Sequence, residues 1–148
     1  MNVGEMCTRE VYIVRPSESL LQAVHEMRKR NVGCVVVVEE RDERVVPIGI
    51  LTDRDIVGML PEKAQVLGVT PVGECITRRP LTLGEDESIV DAVERLRLHA
   101  IRRAPVVTAD GDLVGIVSID DLLGVIAEQL SALARLVERQ ASVQRRDS

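Results

Sequence analysis

The chain of 148 residues has no tryptophan, no phenylalanine and a single tyrosine, Tyr12. A single-strand nucleic-acid reader that stacks bases on aromatic rings would have nothing to stack them on. Positive charge is also short: 19 Lys and Arg stand against 24 Asp and Glu, a formal net charge of −5. A duplex binder that neutralises phosphates needs the opposite balance. Long apolar runs are missing. The run from Val32 to Val38 falls far short of the ~20 residues that cross a bilayer. The start, Met-Asn-Val-Gly-Glu, lacks the basic and apolar regions of a secretory signal. The expectation is a protein with neither nucleic acid nor membrane as partner. Cysteine is sparse and odd in number (Cys7, Cys34, Cys75), with no C-x-x-C pair, which predicts reduced thiols and a cytoplasmic location. Together with His25 and His99 these cysteines form no local ligand pair, so no metal is expected. A nucleophile elbow, a Walker loop and H-E-x-x-H are all absent, and catalysis is not expected.

What is present is a 45% hydrophobic composition, enough to bury the core of one compact module, and an internal repeat. Shifted by 69 positions, Val3-Gly4-Glu5 falls on Val72-Gly73-Glu74, Glu18-Ser19 on Glu87-Ser88, Ala23-Val24 on Ala92-Val93 and Val37-Val38 on Val106-Val107. Beyond the segment Glu39 to Pro47, read as a loop three residues longer than its counterpart, the shift becomes 66. Gly49-Ile50 then falls on Gly115-Ile116, Thr52 on Ser118 and Asp55 on Asp121. Matches in this order over two blocks indicate duplication and a pseudo-twofold axis.

Each unit reads as β-α-β-β-α. The strands are Val11–Val14, Cys34–Val38 and Ile48–Leu51 in unit one, and Leu81–Leu83, Pro105–Thr108 and Val114–Val117 in unit two. The unbroken β-branched second strand suits burial on both faces. Helices are expected over Ser19–Asn31 and Ser88–Ala100, where apolar residues recur at helical spacing, with Ser17 and Asp86 as N-caps. We divide the chain into a first repeat (1–60), a linker (61–71) containing a short helical turn, a second repeat (72–130) and a helical extension and tail (131–148). From Ile119, apolar residues recur at Leu123, Ile126, Leu130, Leu133 and Val137, one stripe close to a heptad seam. That stripe either packs on its own module or makes a subunit contact.

The segments Gly49-Ile50-Leu51-Thr52-Asp53-Arg54-Asp55 and Gly115-Ile116-Val117-Ser118-Ile119-Asp120-Asp121 each place a hydroxyl at a strand end and a carboxylate three positions on. That spacing is also a helix cap. A cap does not explain the preceding Gly-Ile in both units. A carboxylate offers two acceptors to a cis-diol, and a hydroxyl with free N–H groups at a helix start suits an anion.

The duplicated unit with Gly-hydrophobic-x-Thr/Ser-x-x-Asp resembles the CBS domain, and two in tandem resemble a CBS pair, or Bateman module, from Val3 to about Leu130. The resemblance implies an α/β (α+β) fold of two packed β-α-β-β-α repeats, followed here by a long C-terminal helix. It also implies two inter-repeat clefts that bind an adenosine-containing small molecule: AMP, ADP, ATP or S-adenosylmethionine. By the family's pattern Asp55 and Asp121 would hold ribose, and Thr52 and Ser118 phosphate. Thr8, Thr77, Cys34, Val35 and Ala104, with Arg103 at the opening of its strand, would line the base pocket. Arg54, Arg102 and Arg103 are added as phosphate clamps on their fork geometry. Asp120, where unit one has Arg54, sets negative charge beside a phosphate, so unequal occupancy of the clefts is expected. The function implied is a stand-alone, non-enzymatic sensor, homodimeric, that signals ligand state to a protein target. The alternative is a dimerisation or interaction module that binds no ligand.

Overall fold

The computed structural model describes residues 1–76 and 79–147. Its order is α1 (Val3–Met6), β1 (Ile13–Val14), α2 (Leu20–Arg30), β2 (Cys34–Arg41), β3 (Arg44–Thr52), α3 (Asp53–Lys63), β4 (Leu83–Gly84), α4 (Ile89–Leu98), β5 (Arg103–Val107), β6 (Leu113–Ser118) and α5 (Ile119–Asp147). Two 3-10 turns, Ala64–Val66 and Val72–Cys75, lie between α3 and β4. The duplication is visible as two three-stranded sheets, β1-β2-β3 and β4-β5-β6. In each, the first pair is parallel and the second antiparallel. Both antiparallel ladders carry a register shift at equivalent places, Val37/Val38 and Val106/Val107.

Side chains alternate across a strand. Val35 and Val37 enter the first core with Leu20, Leu51 and Ile56, while Val36 and Val38 on the other face are also fully buried. The valine run is thus covered on both sides, as its composition predicts. The second core repeats the scheme with Ala104, Val106, Val117, Leu96 and Leu122.

The leading segments are exchanged. Val3 of α1 is buried in the second core, and Val72 in the first. Backbone bonds hold each in place: Val3 N donates to Glu87 O (2.9 Å) and Gly4 N to Glu85 O (2.8 Å), while Val72 N donates to Glu18 O (2.7 Å) and Gly73 N to Pro16 O (3.0 Å). The next residues run beside the other repeat's third strand. Thr8 pairs with Ile116 through two 2.9 Å backbone bonds. The side chain of Ile76 covers Gly49, and that of Cys7 covers Gly115.

Two local expectations are corrected. The N-caps are Ser19 and Ser88, not Ser17 and Asp86. Each accepts from the N–H three residues on, at Gln22 and Asp91 (3.1 Å both). Ser17 and Asp86 stand two residues earlier, in turns closed by Glu18 N to Arg15 O and Glu87 N to Gly84 O. The segment Glu39 to Pro47 is no loop but the end of a hairpin. Asp42 and Glu43 both have positive φ, 49° and 65°, as a two-residue turn matched to strand twist requires. Asp112 Oδ1 of the second repeat accepts Val45 N at 2.8 Å and secures the hairpin. Pro61 lies inside α3. The chain beyond it is tied down by Thr70, which is buried, accepts Leu20 N at 2.9 Å and donates its hydroxyl to Val66 O at 2.8 Å.

A Cβ at Gly115 would lie 2.6 Å from Cys7 Sγ and 2.8 Å from the backbone oxygen of Thr8, whereas one at Gly58 meets nothing within 4 Å. Gly115→Ala is therefore expected to cost about 1–3 kcal/mol. Gly58→Ala, inside α3, gains about 0.5–1 kcal/mol. Urea denaturation midpoints check both signs.

Candidate functional site

The motif hydroxyls stand where a strand becomes a helix. Thr52 ends β3 opposite Cys34, and Ser118 ends β6 opposite Arg103. Cys34 and Arg103 are equivalent under the repeat, and the guanidinium of Arg103 lies against the Cys34 thiol. The opening ends of β2 and β5 therefore meet across the pseudo-twofold axis. The two hydroxyls flank this meeting point.

On one side opens a cleft of about 710 Å³, within the range typical of small-molecule sites. It gathers Thr52, Arg54 and Asp55 from unit one and Arg102, Arg103 and Ser118 from unit two. Its walls include Gly49, Ile76, Pro80 and Ile101, and it adds Asp53, Asp120 and Arg79 to the charged groups. The remaining sequence candidates among the described residues lie outside its lining. Asp121 is exposed, and its N–H donates to Ser118 Oγ at 3.1 Å. Thr8 is occupied in its bridge to Ile116. The side chains of Val35 and Ala104 are fully buried in the two cores. Cys34 is half-buried at the axis, and Thr77 lies outside the described residues. Arg79 had no signal in the repeat: only the approach of the segment before β4 to the first repeat's motif brings it here.

The hydroxyl and carboxylate of unit one form a complete capping box. Asp55 N donates to Thr52 Oγ1 (3.0 Å), and Thr52 N to Asp55 Oδ2 (2.9 Å). Asp55 Oδ1 has no hydrogen-bond partner among the described residues, so one acceptor oxygen stays available. The expectation of free N–H groups at the helix start is corrected. Asp53 N donates to Gly33 O at 2.9 Å, Arg54 N to Asp53 Oδ1 at 2.8 Å, and Asp55 N to Thr52. The start of α5 repeats part of this, with Ile119 N on Arg102 O at 2.7 Å. Any anion affinity here would come chiefly from side chains. Four arginines (54, 79, 102 and 103) face three aspartates (53, 55 and 120) in the cleft. Arg102 meets Asp120 at 3.2 Å, but both are largely exposed, and such pairs hold weakly. Arg54, Arg79 and Arg103 make no ion pair among the described residues.

Burial pushes the Cys34 thiol up, and the adjacent Arg103 pulls it back down. Removing that cation in Arg103→Leu is expected to raise the thiol further and slow its alkylation near pH 8 by roughly two- to fivefold, since thiolate is the reactive form. Mass spectrometry resolved by site checks this against Cys75. A faster Cys34 reaction would contradict it.

The chain is similar in sequence and fold to known proteins. The family model for the CBS domain matches residues 3–62 and 72–128, and the chain belongs to the CBS domain family as a tandem pair. It is 35% identical over 121 residues to the CBS domain-containing protein YhcV of Bacillus subtilis, covering 82% of each chain. It is 34% identical over 125 residues to the uncharacterized protein MK0525 of Methanopyrus kandleri, covering 84% of this chain but 62% of that one. The chain thus spans less than two thirds of the MK0525 length. Among solved structures, CBSX2 of Arabidopsis thaliana in complex with AMP superposes with a TM-score of 0.71 at 26% identity, covering 88% of this chain and 98% of CBSX2. Among the described residues, no helix is long and apolar enough to cross a membrane.

Proposed function

We propose that this CBS pair is a non-enzymatic regulatory module of the cytoplasm that binds a phosphorylated adenosine ligand in the cleft at Thr52 and Asp55. The observation that carries this reading is the convergence of the Asp55 carboxylate, the Thr52 hydroxyl and four arginines, set against three aspartates in all, on one 710 Å³ cavity. Asp55 Oδ1 accepts from the ribose diol while Oδ2 keeps its cap. Thr52, Arg54, Arg79 and Arg102 face the phosphates, where guanidinium forks form charge-assisted bonds. Arg103, at the axis, is placed to reach the same ligand. The ligand in CBSX2, AMP, is of this class. The arginine excess favours ADP or ATP over S-adenosylmethionine, whose sulfonium carries positive charge into the cleft. Binding bridges the two repeats and so favours one packing of them; a protein target reads the shifted population. Unit two carries Ile119 and Asp120 where unit one has Asp53 and Arg54, which supports one dominant site.

A second reading has its own observation: the capping box accounts for Thr52 and Asp55 without any ligand, and the chain would then be an interaction module only. Asp55→Asn separates the two. The amide oxygen still accepts Thr52 N, so the unliganded melting temperature should change little, but the charge that grips ribose is lost. With wild-type protein, ATP or ADP at a hundredfold excess over Kd should add ~2.7 kcal/mol of stability. Asp55→Asn should lower affinity about tenfold or more, a charge-assisted bond being worth roughly 1.5–3 kcal/mol. Thermal shift with AMP, ADP, ATP and S-adenosylmethionine, followed by calorimetry, checks both. No shift with any of the four would leave the interaction module as the function.

A further inference from the structure

The first two turns of α5 belong to the second core, where Leu122 is fully buried and Val125 and Ile126 pack against it. From Ala127 to Arg145 every residue is exposed, so the helix extends alone for about 28 Å. Its apolar stripe does not stop at the body. Leu123, Leu130, Leu133, Leu136, Val137 and Val143 are each 51–63% exposed. Six such side chains give roughly 500 Å² of apolar surface per copy, and two copies face to face would reach the ~1,000 Å² that a specific interface needs. Helices in water draw most of their stability from packing an amphipathic face, and within one chain this face packs on nothing.

The stripe itself indicates what covers it. The spacing Leu123, Ile126, Leu130, Leu133, Val137 is a heptad seam, and the positions beside it are Ala127, Gln129, Ala134, Leu136, Ala141 and Val143. Charged flanking positions, which usually select a foreign partner helix, are missing, so the seam meets no penalty against itself. Charge is instead divided along the helix. Residues 119–133 hold three acids, Asp120, Asp121 and Glu128, and no base. Residues 134–147 hold four arginines against Glu138 and Asp147. A parallel pair would set like halves together, and an antiparallel pair sets the acidic half of each helix along the basic half of the other.

We propose that α5 pairs antiparallel with α5 of a second copy of this chain, as an interface separate from the ligand cleft. The test is sedimentation equilibrium of the full chain at micromolar concentration. Wild type should sediment as a dimer. Leu130→Glu/Leu133→Glu, at residues exposed in the single chain and therefore tolerated by its fold, should sediment as a monomer with unchanged thermal response to nucleotide. Arg135→Glu/Arg139→Glu leaves the seam intact and should weaken the dimer at low salt by about tenfold, with Glu128→Arg in the same chain restoring part of the loss. A monomeric wild type would overturn the proposal, as would a Leu130→Glu/Leu133→Glu variant that remains dimeric. Tightening on charge reversal would overturn the antiparallel sense. Flotation of a monomeric wild type with phosphatidylcholine–phosphatidylglycerol vesicles would assign the stripe to a lipid surface instead.

Discussion

Val3 is buried in the second repeat's core and Val72 in the first's, and this reciprocal exchange governs the rest of the molecule. A three-stranded sheet of short strands with two covering helices makes a thin core. Each repeat here completes its core with a turn of backbone from the other, so neither is whole alone. The exchange also brings the chain ahead of each first strand past the third strand of its neighbour, with Ile76 over Gly49 and Cys7 over Gly115. Glycine is needed at both places because another side chain occupies the space a Cβ would take. The cleft is a by-product of this route. It opens where the segment carrying Arg79 and Pro80 passes the Thr52 to Asp55 motif.

Within the cleft, on the proposed reading, the same two side chains would serve backbone and ligand. Thr52 and Asp55 satisfy each other's N–H groups, which fixes their rotamers before any ligand arrives and lowers the ordering cost of binding. The helix start has almost no uncommitted N–H left to offer, so recognition of an anion would rest on guanidinium groups. Those groups come from both repeats, Arg79 from the segment ahead of β4. A bound anion would therefore draw three separate pieces of chain together, the kind of differential contact that a population shift requires.

Much of this was legible in the sequence. The repeat, the strand and helix order, the doubly buried valine run and the motif at the strand end all rest on local patterns with a fixed period. The errors have physical causes. Ser17 and Ser19 are both good capping residues, and only the helix phase chooses between them. The segment Glu39 to Pro47 is polar enough to pass for a loop, but Val45 and Val46 continue the ladder once Asp42 and Glu43 take the positive φ that closes the turn. The exchange of Val3 and Val72, and with it the place of Arg79, leaves no local trace because it depends on contacts between distant parts of the chain. Of the described candidate site residues, the six that reach the cleft are the motif residues of unit one together with Ser118 and the arginines that open β5. Ala104 is adjacent in sequence to Arg103 but alternates into the second core, as Val35 beside Cys34 does into the first.

The most direct test of the account is a crystal structure of the chain grown with ATP. The account predicts density in the cleft between the repeats, with the ribose hydroxyls at hydrogen-bond distance, about 2.7 Å, from Asp55 and the phosphates among Arg54, Arg79 and Arg102. A nucleotide found instead beside Asp121, or a cleft that stays empty at saturating ATP, would contradict it.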